Sequence, residues 1–168
     1  MITDGTNTIA ESGAILEYIV ETHGKGRLVP PRDTPAYRDY RYFMHYAEGS
    51  LMPYMLLRVV FARVRSAPVP FFVKPIAKKI ANTVTGQFVD PNLIRHLTFL
   101  NAHLAKQPWF ADAELSAADI QMSYPIEAAV ARASDLADIS KLADWVTRIK
   151  ARPAFQRALE RGGPYTID

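Results

Sequence analysis

Residues 8–16 read TIAESGAIL. A carboxylate at Glu11 and a hydroxyl at Ser12 stand where an apolar helical pattern begins. Two chemistries fit this pair. In the first, Ser12 is a helix N-cap whose hydroxyl accepts a backbone N–H two or three residues on, and Glu11 adds negative charge near the positive helix end. In the second, the pair reads a ligand. A helix N-terminus offers free N–H groups and a favourable field for an anion. The Ser12 hydroxyl then holds a carboxylate there while Glu11 pairs with an ammonium. Together they would recognise the zwitterionic end of an amino acid. The local sequence alone favours the cap.

Other residues with chemical potential are scattered. His45 and Glu48 lie three apart on one helical pattern, but two ligands without a third make a weak metal site, and no metal is expected. His96 and His103 are about two helical turns apart and read as ordinary helix residues. With no cysteine in the chain, a disulfide framework, a thiolate metal site and a cysteine nucleophile are excluded within it. There is no glycine-rich phosphate loop, zinc spacing or GxSxG elbow. The arginines in YRDYRYFMHY accompany aromatics at helical spacing, so no nucleic-acid partner is expected. Met52, Met55 and Val59 stand at i, i+3 and i+7. Such a stripe is core or the wall of an apolar substrate groove, since methionine adapts to irregular shapes.

The elements that must position these residues follow from pattern. The 168 residues, 49% apolar and 22% charged, suit one soluble globular domain. No apolar run approaches the roughly 18 residues that span a bilayer, and MITDGTNT lacks the features of a signal peptide. A cytoplasmic protein without a membrane partner is expected. The net charge of +3 is uneven: no Asp or Glu falls between Gly49 and Val89, while Arg58, Arg63, Arg65, Lys74, Lys78 and Lys79 do. This stretch reads as a solvated face beside an apolar groove, with an anionic substrate, a membrane surface or nucleic acid as the alternatives.

Asp4-Gly5 marks a turn between two short strands. Ile15, Leu16 and Ile19 give a helix from Ser12 to about Thr22, stopped at Gly24. Thr34-Pro35 caps a long helix reaching about Arg65, kinked at Pro53. SAPVPFFVKP breaks it. A helix from about Pro75 to Thr85 follows, and Asp90-Pro91 opens a separate one to about Lys106. Ser116 and Asp119 form a capping box, with Leu115 and Ile120 as its hydrophobic staple. They start a buried central helix that bends near Pro125. Ser140 starts a helix burying Leu142, Trp145, Val146 and Ile149. Pro153 opens a last short helix, ended by Gly162-Gly163. The fold class is mainly all-α behind a small β fragment.

With this order in place, three stretches resemble one family. ITDGTNTIAESGAILEYI is similar to the last strand, Glu/Gln-Ser turn and third helix of the thioredoxin-like domain of bacterial cytosolic glutathione transferases. YFMHYAEGSLMPYM resembles their long helix, and LSAADIQMSYPIEAA their helix-six capping box. The resemblance covers essentially the whole chain. It implies a thioredoxin-like remnant over 1–24, a linker over 25–33 and a glutathione transferase C-terminal helical bundle over 34–168. It implies that Glu11 and Ser12 hold the γ-glutamyl end of glutathione, and that Met52, Met55 and Val59 line the hydrophobic-substrate groove. Glutathione is then the co-substrate, with no other cofactor, a small hydrophobic electrophile as the second substrate and a homodimer as the assembly. In the family the catalytic Tyr, Ser or Cys, and a cis-proline that binds the glutathione backbone, precede the strand that begins here at about Met1. No catalytic residue is therefore assigned within this chain. The expectation is an enzyme that conjugates glutathione once those elements are supplied, and that is inactive without them. The alternative is a non-catalytic helical binding or interaction module.

Overall fold

The computed structural model describes residues 1–165. Strands β1 (Ile2–Asp4) and β2 (Asn7–Ile9) pair antiparallel, Ile2 opposite Ile9 and Asp4 opposite Asn7. Gly5 takes φ 57° in the tight turn, a conformation that favours glycine. The hairpin is tied to helix α1 (Ser12–His23) through Asp4, whose carboxylate accepts from Tyr18 Oη at 3.0 Å and pairs with His23 Nε2 at 2.7 Å. The His23 bond, then the Tyr18 bond, hold the Asp4 carboxyl below its usual range.

Among the described residues, seven further α-helices follow: α2 (Pro35–Tyr46), α3 (Met52–Arg65), α4 (Lys74–Val84), α5 (Asp90–Leu104), α6 (Ala117–Arg132), α7 (Ser140–Lys150) and α8 (Pro153–Gly162). Thr34 caps α2 as its sequence indicates, its hydroxyl oxygen accepting from Tyr37 N–H at 3.2 Å.

Two joints depart from regular helix, and both have the same cause. Between α2 and α3, Ala47–Leu51 forms a π turn in which Met52 N–H reaches back five residues to the Ala47 carbonyl. Between α4 and α5, Thr85–Val89 forms another, closed by Asp90 N–H on the Thr85 carbonyl. A proline follows immediately in each case, Pro53 or Pro91. Proline has no N–H to give and its ring crowds the carbonyl one turn back. Widening the preceding turn relieves that crowding. Helix α5 thus opens at Asp90-Pro91 as the sequence indicates, joined to α4 through the π turn and not through a loop.

The core is a layer of buried side chains centred on α6. Phe43, Leu51, Leu93, Leu97, Leu100, Phe110, Met122, Ile126, Leu142 and Trp145 are almost fully enclosed. On α7, Leu142, Trp145 and Ile149 are buried as the spacing indicates, while Val146 is half-buried against them. His103 is a partly buried residue of α5. Its ring stacks on Phe110 inside the aromatic cluster. His96 bonds Tyr46 Oη through Nδ1, and burial lowers its pKa.

Candidate functional site

The site is built from the first turn of α6 upward. Ser116 N–H and the Ser116 hydroxyl both donate to Asp119 Oδ2, at 2.9 and 3.0 Å, and the capping box closes. Asp119 is fully buried, and its other oxygen accepts from Phe110 N–H at 2.9 Å and Trp145 Nε1–H at 3.4 Å. Burial pushes its pKa up despite these donors. This carboxylate fixes the start of α6, the 110 loop and α7 to one another. Ala117 N–H then donates to the Leu28 carbonyl at 2.8 Å, which docks the segment between α1 and α2.

One turn into α6, Gln121 is 5% exposed, and its Nε2 donates to Ser12 Oγ at 2.9 Å. This bond joins residues 109 apart in sequence. It overturns the expectation that Ser12 is the N-cap. The helix begins at Ser12 itself, Glu11 occupies the cap position, and no side chain closes the cap. The Glu11 backbone takes φ 72°, a region costly for a residue with a Cβ. It is held there by Ile15 N–H on the Glu11 carbonyl at 2.9 Å and by the anchored Ser12 beside it.

The chemical consequence is specific. A serine hydroxyl has one donor and two acceptor positions. Gln121 occupies one acceptor, which leaves the Ser12 O–H able to donate. The first N–H groups of α1 have no intrahelical partner, and the first turn holds no acidic residue. Glu11 and Ser12 are both exposed. The turn thus offers hydroxyl and amide donors for a carboxylate beside one carboxylate for an ammonium.

The other sequence candidates fall elsewhere. Met55 is 3% exposed and belongs to the core; Met52 packs against it half-buried, and Val59 is half-buried further along α3. His45, on α2, and Glu48, within the first π turn, are both exposed. Among the described residues no group of three or more His, Asp or Glu could hold a metal ion. Arg58 departs from the solvated basic face: its Nη2 pairs with Asp135 at 3.1 Å and its Nε lies 3.9 Å from Asp90. Ile19 lines an apolar groove of about 630 Å³, together with Leu28, Leu115, Ile120 and Phe155. Sequence spacing pointed to neither Gln121 nor Arg58, because their partners come from distant elements.

Residues 64–162 match the family model described as Glutathione S-transferase, C-terminal domain. The chain belongs to this family. It is 28% identical over 162 residues to glutathione S-transferase 3 of Schizosaccharomyces pombe, and 24% identical over 155 residues to glutathione S-transferase 1 of Saccharomyces cerevisiae. These alignments cover 96% and 91% of the chain, which spans 66% of the length of each relative. Both are fungal, so glutathione transferase membership carries no bacterial qualifier. The fold is also that of a glutathione transferase from Phanerochaete chrysosporium solved in complex with oxidized glutathione. There the TM-score is 0.68 at 22% identity, over 92% of this chain and 67% of the other. The helical bundle is therefore a glutathione transferase C-terminal domain, with a small two-stranded hairpin ahead of it.

Proposed function

We propose that this chain serves in conjugating glutathione to small apolar electrophiles, with Glu11 and Ser12 reading the γ-glutamyl end of the tripeptide. The observation that carries this reading is the Gln121–Ser12 bond, which presents the Ser12 proton at the mouth of α1. Residues 1–24 act as part of the glutathione-binding domain, 25–33 as the linker, and 34–168 as the helical domain that braces it. Each group has a role. The Ser12 O–H and the free N–H groups of α1 bind the γ-glutamyl carboxylate. Glu11 pairs with its ammonium. Met52 and Val59 face the electrophile, with Met55 packed behind them. The group that stabilises the glutathione thiolate, lowering its pKa for attack, lies in the part of the thioredoxin-like sheet that the family resemblance places before β1. The working assembly is a homodimer. Tyr42 on α2 and Phe99 on α5, 49% and 42% exposed with rings edge to face at 6.2 Å, supply an aromatic face for it.

The test is charge-specific and is made in protein carrying a complete thioredoxin-like half. Glu11→Gln removes the partner of the ammonium. The KM for glutathione should rise about tenfold or more, as expected for a hydrogen bond to a charged group. The KM for an analogue whose γ-glutamyl amine is replaced by hydrogen should barely change. An equal effect on both substrates, or none on either, would refute the assignment.

A further inference from the structure

Away from the glutathione site, the hairpin of α3 and α4 carries a surface that the proposed activity does not use. Phe71 and Phe72, in the connector between the two helices, are 83% and 66% exposed, with rings edge to face at 5.6 Å. Ile76 and Ile80 follow Phe72 at i+4 and i+8, on one face of α4, and they too are largely exposed. Ala81, from another face of α4, is wholly buried, so the Phe72–Ile76–Ile80 stripe is not what holds this helix to the body. The charge of the arm has one sign. Arg58 is engaged by Asp135, but Arg63, Arg65, Lys74, Lys78 and Lys79 are exposed, and no acidic residue occurs between Gly49 and Val89.

We infer that this arm docks on an anionic lipid surface, with Phe71 and Phe72 entering the interface and the lysines facing the headgroups. Aromatic and aliphatic side chains beside Lys and Arg on one helical element are the composition of interfacial membrane contacts, and an anionic leaflet attracts basic segments. Charge decides against a second copy of the chain, since pairing this face with itself sets five cations against five. Apolar exposure decides against nucleic acid, which would neutralise the lysines but offer no hydrocarbon phase to Phe71, Phe72, Ile76 and Ile80. Among the described residues no helix is long and apolar enough to cross a membrane, so the contact is peripheral. The inference reverses the sequence-based expectation of no membrane partner, and it stands independently of the glutathione site.

Co-sedimentation with phosphatidylcholine vesicles, with and without about 30% phosphatidylserine, tests it. Binding should require the anionic lipid and weaken with salt. Phe71→Ser/Phe72→Ser should reduce it about tenfold or more, as expected on losing two buried rings. Lys78→Glu/Lys79→Glu should also reduce it, about tenfold. Both variants should keep the wild-type circular dichroism spectrum and melting temperature. Absence of vesicle binding, or binding indifferent to the phenylalanine substitutions, would overturn the inference. So would a loss of oligomer size in Phe71→Ser/Phe72→Ser without vesicle binding, which would assign the patch to a second copy.

Discussion

At the scale of residues, Asp119 has the most demanding environment. It accepts from two backbone amides, a hydroxyl and an indole while fully buried. Asp119→Asn keeps the shape but exchanges one acceptor oxygen for a donor, facing donors. Leaving buried donors unsatisfied costs about 1–3 kcal/mol each, so urea unfolding should show a loss of about 2 kcal/mol or more. The pH dependence has a definite sign. Burial raises the folded pKa of Asp119 above its unfolded value. The unfolded chain therefore loses this proton first, and the contribution of Asp119 falls as pH rises from the ordinary carboxylate value through the raised one. The stability gap between wild type and Asp119→Asn should narrow over that window; a gap that widens would contradict the pKa direction. Asp119 was legible as a capping-box residue because its partner is three positions away. Its bonds to Phe110 and Trp145 were not, and neither was the Gln121–Ser12 bond, since no local pattern encodes a partner many tens of residues distant.

At the scale of elements, local signals placed helices well and misjudged joints. Thr34-Pro35, the Ser116 box and the apolar face of α7 each follow from short-range chemistry, and each helix formed where that chemistry indicated. The same reasoning places the start of α5 at Asp90-Pro91 but misses its joint to α4. A proline after an acidic residue marks a helix start, yet packing carries α4 into α5 and the proline is absorbed by a π turn. Ser12 failed as a cap for a related reason: the hydroxyl is claimed by α6, and the chain bears a positive φ at Glu11 instead. Ser116→Ala is a direct probe of element-level stability. It removes a buried hydroxyl that donates to Asp119, and should cost about 1 kcal/mol or more. A variant within a few tenths of a kcal/mol of wild type would show that the backbone half of the box suffices.

At the scale of the whole molecule, assembly and catalysis meet. Exposed aromatic area of the kind formed by Tyr42 and Phe99 favours association, and sedimentation at tens of micromolar, about where weak interfaces fill, should show a dimer. Phe99→Glu should shift it to monomer, whereas the tip substitutions at Phe71 and Phe72 should not. A monomeric wild type would remove the dimer from the account. The central claim is that α6 holds the Ser12 hydroxyl so that it binds the γ-glutamyl carboxylate of glutathione. The direct measurement is steady-state kinetics of Ser12→Ala, in protein carrying a complete thioredoxin-like half, alongside its melting temperature. A hydrogen bond to a charged carboxylate contributes about 1.5–3 kcal/mol, so kcat/KM for glutathione should fall about 10- to 150-fold, chiefly through KM. Unchanged glutathione kinetics with a lowered melting temperature would contradict the claim and leave Ser12 as a structural residue only.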